Sequence, residues 1–226
     1  MAATQPAGPA EAERGFDAVV LAGGLARRLD GADKPALEIG GVTLLDRVLE
    51  ACAGAREVVC VGPRRDTRRP VRWTREDPPG SGPVAALAAG LAGAGSPDPG
   101  EAARHVVVLA ADLPFLDAEI VHSLWTAAAG HDGAVLVDEQ GREQWLAACY
   151  ARDRLAARIT RLAAENGGGA AGLSLRRLLS GADLARVPDP GRGSLDCDTW
   201  EDVEHVRRLV ERGGAGHRPP GTESER

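Results

Sequence analysis

Apolar residues in this chain fall into short, nearly unbroken runs, separated by stretches where they recur every three or four positions. Residues 16–22 (FDAVVLA), 57–62 (EVVCVG) and 105–110 (HVVVLA) are too short for helices. Their richness in Val predicts strands buried on both faces. Residues 71–74 predict a further short strand. Helical spacing marks residues 43–53, the Ala-rich 83–92 and 117–129. Pro83 opens the second of these, where a missing N–H costs little; Asp117 suits the N-cap of the third. Further on, strands are predicted at 133–137, 145–150 and 184–187, and helices at 152–165, 173–179 and 199–210. This alternation predicts one Rossmann-like three-layer α/β/α domain with a mostly parallel sheet, made mixed by its later strands. Residues 1–15 and 212–226 read as disordered tails, which leaves 16–211 as the domain. In open α/β sheets ligands bind at the carboxyl ends of strands. That singles out the loops after Ala22, Gly62 and Ala111.

Composition narrows the chemistry. A length of 226 residues fits one domain with a sizeable core. Aromatics make up only 3%, so Ala, Val and Leu must build that core. The net charge of -6 argues against a protein that coats nucleic acid, which needs a concentrated positive surface. The four cysteines are scattered with no CxxC pair, which points to isolated thiols in a reducing cytoplasm. No signal peptide and no membrane-spanning run is expected. Lys34 is the one lysine among 27 basic residues. Against so strong an arginine bias, a surviving lysine points to a place where the broad guanidinium does not serve.

The first loop reads Leu21-Ala22-Gly23-Gly24-Leu25-Ala26-Arg27-Arg28-Leu29-Asp30-Gly31-Ala32-Asp33-Lys34. Two glycines directly after a buried strand let the backbone approach a ligand, and their N–H groups can hold a phosphate or a base edge. Arg28 and Lys34 then reach a triphosphate. The string fits neither the dinucleotide nor the P-loop pattern. It resembles the signature of the molybdenum cofactor guanylyltransferases and their wider nucleotidyltransferase superfamily, with Asp30 where a small residue is usual. The resemblance implies that Leu21, Ala22, Gly23 and Gly24 line the nucleotide, and that Arg28 and Lys34 are catalytic residues on its phosphates. Glu76-Asp77-Pro78-Pro79-Gly80-Ser81-Gly82-Pro83 resembles a second family segment, which implies Asp77 and Gly82 beside the nucleotide. An aspartate before a Gly-rich turn can accept hydrogen bonds from a guanine edge or a ribose hydroxyl.

Residues 105–111 run into Asp112-Leu113-Pro114-Phe115-Leu116. A carboxylate at the end of a buried strand is well placed for Mg²⁺, and Pro114 fixes the following turn. The string resembles the superfamily's metal motif, which implies that Asp112 is catalytic, binds the metal and touches the nucleotide. Asp196-Cys197-Asp198-Thr199-Trp200-Glu201-Asp202 resembles a later acidic family segment and makes Asp198 a second metal candidate. Asp198 or Thr199 could equally cap the last helix. Gln144-Trp145-Leu146 resembles an acceptor-side strand, with Trp145 where proline is usual. The Ser174–Leu179 stretch is either a basic lip for an acceptor phosphate, through Arg176 and Arg177, or a solvated helix face.

The resemblance implies the activity of a Mg²⁺-dependent nucleotidyltransferase moving GMP from GTP onto molybdopterin, with transient contact to other molybdenum cofactor proteins. A cytidylyltransferase or another NTP transferase using a different phosphorylated small molecule is the near alternative. A non-catalytic nucleotide-binding module is the more distant one.

Overall fold

A computed structural model of the chain describes residues 15–24, 29, 31–94 and 103–214. Its main sheet has seven strands in the order β5-β4-β1-β6-β8-β7-β9. They are β1 (Phe16–Leu21), β4 (Ala55–Val61), β5 (Arg72–Thr74), β6 (His105–Ala110), β7 (Gly133–Val137), β8 (Glu143–Ala151) and β9 (Leu184–Pro188). The central strand β1 is parallel to both neighbours, with Val19 opposite Val59 of β4 and Val108 of β6. β8 runs antiparallel between β6 and β7, while β9 is parallel to β7. The sheet is thus parallel on one side and mixed on the other, as the sequence predicts.

Successive strand residues point to opposite faces, and the core divides accordingly. Ala18 and Val20 of β1 belong to the layer covered by α1 (Leu44–Ala51) and α3 (Ala118–Ala127). Val19 belongs to the layer under α2 (Pro83–Gly93), α4 (Arg152–Glu165) and the short α5 (Leu175–Leu178). Gly90 explains how closely α2 lies on the sheet: a side chain there would run into Val19. Asp117 caps α3 by accepting from Ile120 N–H at 2.8 Å.

A smaller third cluster stands apart from these two layers. Leu29, Ile39, Leu44, Cys197, Val203 and Val206 are buried together. They join α6 (Trp200–Gly214) to a hairpin of two-residue strands, β2 (Glu38–Ile39) and β3 (Val42–Thr43). Sequence periodicity does not predict that hairpin. Its turn glycines, Gly40 and Gly41, both have positive φ (61° and 75°), which suits a tight two-residue connection. The helix predicted to end at 210 continues to Gly214, into the first residues of the stretch predicted as a tail. Among the described residues, no helix is long and apolar enough to cross a membrane.

Candidate active site

Three strands deliver their loops side by side. Ala22 N–H donates to Val61 O at 2.8 Å and Ala111 N–H to Leu21 O at 3.1 Å, so β4, β1 and β6 end in register. Gly62 N–H donates to Thr74 O at 2.9 Å, which adds β5 to the row. Asp77 and Gly82 therefore leave at one end of this row, and Asp112 at the other.

Leu21 is half-buried and Ala22 buried, while Gly23 and Gly24 are exposed. Gly24 has φ +131° and open space where a side chain would stand. Gly62 is the neighbour that permits this approach. Its φ is +145°, and a Cβ there would lie 2.8 Å from Ala22 C and O and 2.9 Å from Gly23 N. Gly62→Ala is therefore expected to cost about 1–3 kcal/mol by forcing a sparsely populated backbone region. Urea unfolding measures that loss. Because the clash falls on the Ala22–Gly23 peptide, the KM for nucleotide should rise as well.

Lys34 opens a single 3-10 turn, Lys34–Ala36, stiffened by Pro35. Its ammonium meets carboxylates from two distant parts of the chain. Nζ donates to Asp198 Oδ1 at 2.6 Å across 164 residues of sequence, and forms an ion pair with Asp112. The Lys34 side chain is 14% exposed and that of Asp112 is 19% exposed. Burial acts to lower the lysine pKa, but Asp112 and then Asp198 outweigh it, and the net shift is upward. The ammonium is thus held charged.

The question of which residue caps α6 has a clear answer. Thr199 N–H and its hydroxyl both donate to Asp202 Oδ2 at 2.7 Å, and Asp202 N–H returns to Thr199 Oγ1 at 3.2 Å. This reciprocal pair closes the helix start, while the Asp198 carboxylate meets Lys34. The fully buried Cys197 anchors the loop between Asp196 and Asp198. Asp196, which the motifs give no role of its own, lines the cavity beside Asp112. Its carboxyl pKa is raised by burial first, then by Asp198 and Asp112.

Beside Asp112 opens a cavity of about 290 Å³, walled in part by Asp196, Gln144, Trp145, Leu175 and Ser194. The wall depends on a break in strand pairing. Val135 lies opposite Ala148, yet the next residue, Leu136, lies opposite Gln144. Such a bulge re-aims side chains; here Tyr150 OH holds it by donating to Trp145 O at 2.8 Å.

The remaining expected residues are less closely joined. Asp77 is exposed on the β5–α2 loop, and Gly82, φ +98°, is the N-cap of α2. Arg28 lies outside the described residues. All four cysteines are buried, and burial pushes the thiols of Cys52, Cys60 and Cys197 up to about 12. They are inert at neutral pH. Among the described residues, no group of three or more His, Cys, Asp or Glu is arranged to enclose a metal.

A glycine loop at the strand ends, a half-buried cation between two carboxylates and an adjoining cavity stand on an α/β fold, an arrangement that suits a nucleotidyltransferase. The family model described as the MobA-like NTP transferase domain matches residues 18–187. A "Probable molybdenum cofactor guanylyltransferase" of Mycobacterium tuberculosis is 33% identical over 175 residues, which cover 75% of this chain and 81% of that protein. The chain belongs to the MobA-like NTP transferase family. A molybdenum cofactor guanylyltransferase of Bradyrhizobium is 38% identical over 119 residues, 50% of this chain and 55% of that one. Among solved structures, molybdopterin-guanine dinucleotide biosynthesis protein A of Archaeoglobus fulgidus superposes with a TM-score of 0.65 at 23% identity. That match covers 87% of this chain and all of that one. A 4-diphosphocytidyl-2C-methyl-D-erythritol synthase of Anaerococcus prevotii gives 0.64 at 14% identity, covering 91% of this chain and all of that one. At those identities the two structures speak for the fold alone.

Proposed function

We propose that this protein transfers GMP from GTP to the terminal phosphate of molybdopterin, releasing pyrophosphate. The observation that carries the reading is the convergence of Lys34, Asp112 and Asp198 beside the 290 Å³ cavity that Asp112 helps to line. The guanylyltransferase names of the relatives supply the base and the acceptor.

An acceptor phosphate oxygen attacks the α-phosphorus, and the bond from that phosphorus to the bridging oxygen of pyrophosphate breaks. The acceptor is ionised at neutral pH, so no side chain has to remove a proton. The protein's work is to align the two substrates and to neutralise charge. Lys34 is held charged where charge collects on the leaving pyrophosphate. The backbone at Gly23 and Gly24 receives the nucleotide, with Asp77 and Gly82 farther along the row of strand ends. Gln144, Ser194 and Trp145 face the acceptor.

Two carboxylates drawn to one cation at a strand end suit Mg²⁺, which is commonly held by one or two carboxylates together with substrate phosphates. Asp112 and Asp198 would hold it, and when bound it would polarise the α-phosphate. Pyrophosphate release tests the reading, with magnesium, each of the four NTPs and molybdenum-loaded molybdopterin. Turnover with GTP alone is expected. Turnover with CTP would move the base assignment, and failure to bind any NTP would refute the enzyme reading.

A further inference from the structure

Arg65 belongs to none of the motifs on which the functional reading rests. It stands in the loop after β4, and its side chain is 13% exposed. Every nitrogen of its guanidinium is engaged. Nε donates to Asp33 Oδ1 at 2.9 Å and to Oδ2 at 2.8 Å, and Nη2 donates to Asp33 Oδ1 at 2.6 Å. Nη1 donates to Ala22 O and to Pro63 O, each at 2.9 Å.

These partners have a pattern. Ala22 and Asp33 are the two ends of the glycine loop, and Asp33 is the residue before Lys34. Asp33 occupies the N-cap position of the Lys34–Ala36 turn, yet its side chain makes no capping hydrogen bond. Its carboxylate is turned outward to Arg65, and only its backbone oxygen serves the turn, accepting from Ala36 N–H at 2.9 Å. A planar guanidinium can fork onto a carboxylate and still reach two carbonyls; a lysine ammonium has no such fixed geometry.

We infer that Arg65 is a positioning residue: it clasps both ends of the glycine loop and, through Asp33, sets the place from which Lys34 reaches Asp112 and Asp198. The inference deepens the nucleotidyltransferase reading and, for its kinetic part, rests on it. The β4 loop is thereby tied to the β1 loop, so an arginine far from the motifs controls where the catalytic cation stands.

The test uses the full chain with Arg65→Ala, Arg65→Lys, Asp33→Ala and the double alanine variant. Hydrogen exchange without any ligand reads the clasp directly. In Arg65→Ala the Ala36 and Leu37 amides should exchange faster by about tenfold, within the range for coupled hydrogen-bonded partners, while the β1 and β6 amides stay unchanged. With GTP, kcat/KM should fall by about tenfold to a hundredfold, as expected when a catalytic group is misplaced by about an ångström. Asp33→Ala should match it, the double variant should lose no more than the worse single one, and Arg65→Lys should recover little. Unchanged exchange at Ala36 and Leu37 would overturn the inference. So would faster exchange throughout the sheet, which would make Arg65 a general structural residue, or losses that multiply in the double variant. If the unmodified chain transfers no nucleotide, the functional reading fails, while the exchange result still decides the clasp.

Discussion

Lys34→Ala should lower kcat for nucleotidyl transfer by about a hundredfold to a thousandfold, the usual loss when one preorganised charge aimed at the transition state is removed. Asp112→Asn should fall within about the same range. The two residues act on each other in the resting site through their ion pair. The double variant should therefore lose much less than the product of the single losses, as groups that work as a unit do. Steady-state kinetics with GTP and the acceptor, set beside thermal unfolding, would measure this. Losses that multiplied fully would mean Lys34 and Asp112 serve separate steps. Unchanged kcat in either variant would remove that residue from the chemistry. Arg28→Ala completes the set on the nucleotide side.

Arg152→Ala should destabilise the fold by about 3–5 kcal/mol, the cost of leaving a buried charge without its partner. That corresponds to about a 10 °C fall in Tm for a chain of this size. Arg152 stands at the first turn of α4, and its Nη2 donates to Asp17 Oδ2 at 2.6 Å across 135 residues. Asp17 is only 4% exposed, on a strand otherwise apolar. Arg152 Nε also donates to Ala103 O at 2.9 Å, so one guanidinium joins α4, β1 and the approach to β6. Burial raises the Asp17 pKa, and Arg152 is the main influence lowering it again.

The sign follows from linkage. A carboxyl whose folded pKa is raised favours the fold below its ordinary range, and this advantage is lost as pH rises through the folded value. Without Arg152 the pKa moves further up and the loss deepens. The destabilisation of Arg152→Ala should then be smaller at mildly acidic than at mildly alkaline pH. Urea unfolding at both pH values reads it directly. Replacing both partners with Met and Leu should recover most of the stability, because no uncompensated charge is left buried. A variant as stable as the unmodified chain at every pH would show that Asp17 finds other partners.

Much of the fold was legible because its signals are local. Three Val-rich runs and the helical spacings between them depend on neighbours within a few residues. So do the Asp117 cap and the Pro83 start. The β2–β3 hairpin was not legible, since two-residue strands carry no periodicity. The helix carrying Trp200 continues past its predicted end to Gly214, and Val206 and Val210 pack it on the hairpin cluster, a contact with no signal in the helix itself.

The candidate site divides the same way. Gly23, Gly24, Lys34 and Asp112 stand out in the sequence because loops at strand ends have recognisable chemistry. Asp198 stood out too, but as cap or ligand alike. In the fold Thr199 and Asp202 close the helix start, and Lys34 reaches Asp198 from 164 residues away. Gly62, Asp196 and Arg65 gained their meaning only in three dimensions: one from the Ala22–Gly23 peptide beside it, one from the cavity wall, one from Asp33. The sequence by itself determined most of the strands and helices and singled out the loops at the strand ends, because those depend on short-range periodicity and turn preference. Only the tertiary structure decided which charges meet, because strand order, not position along the chain, sets the distance between them.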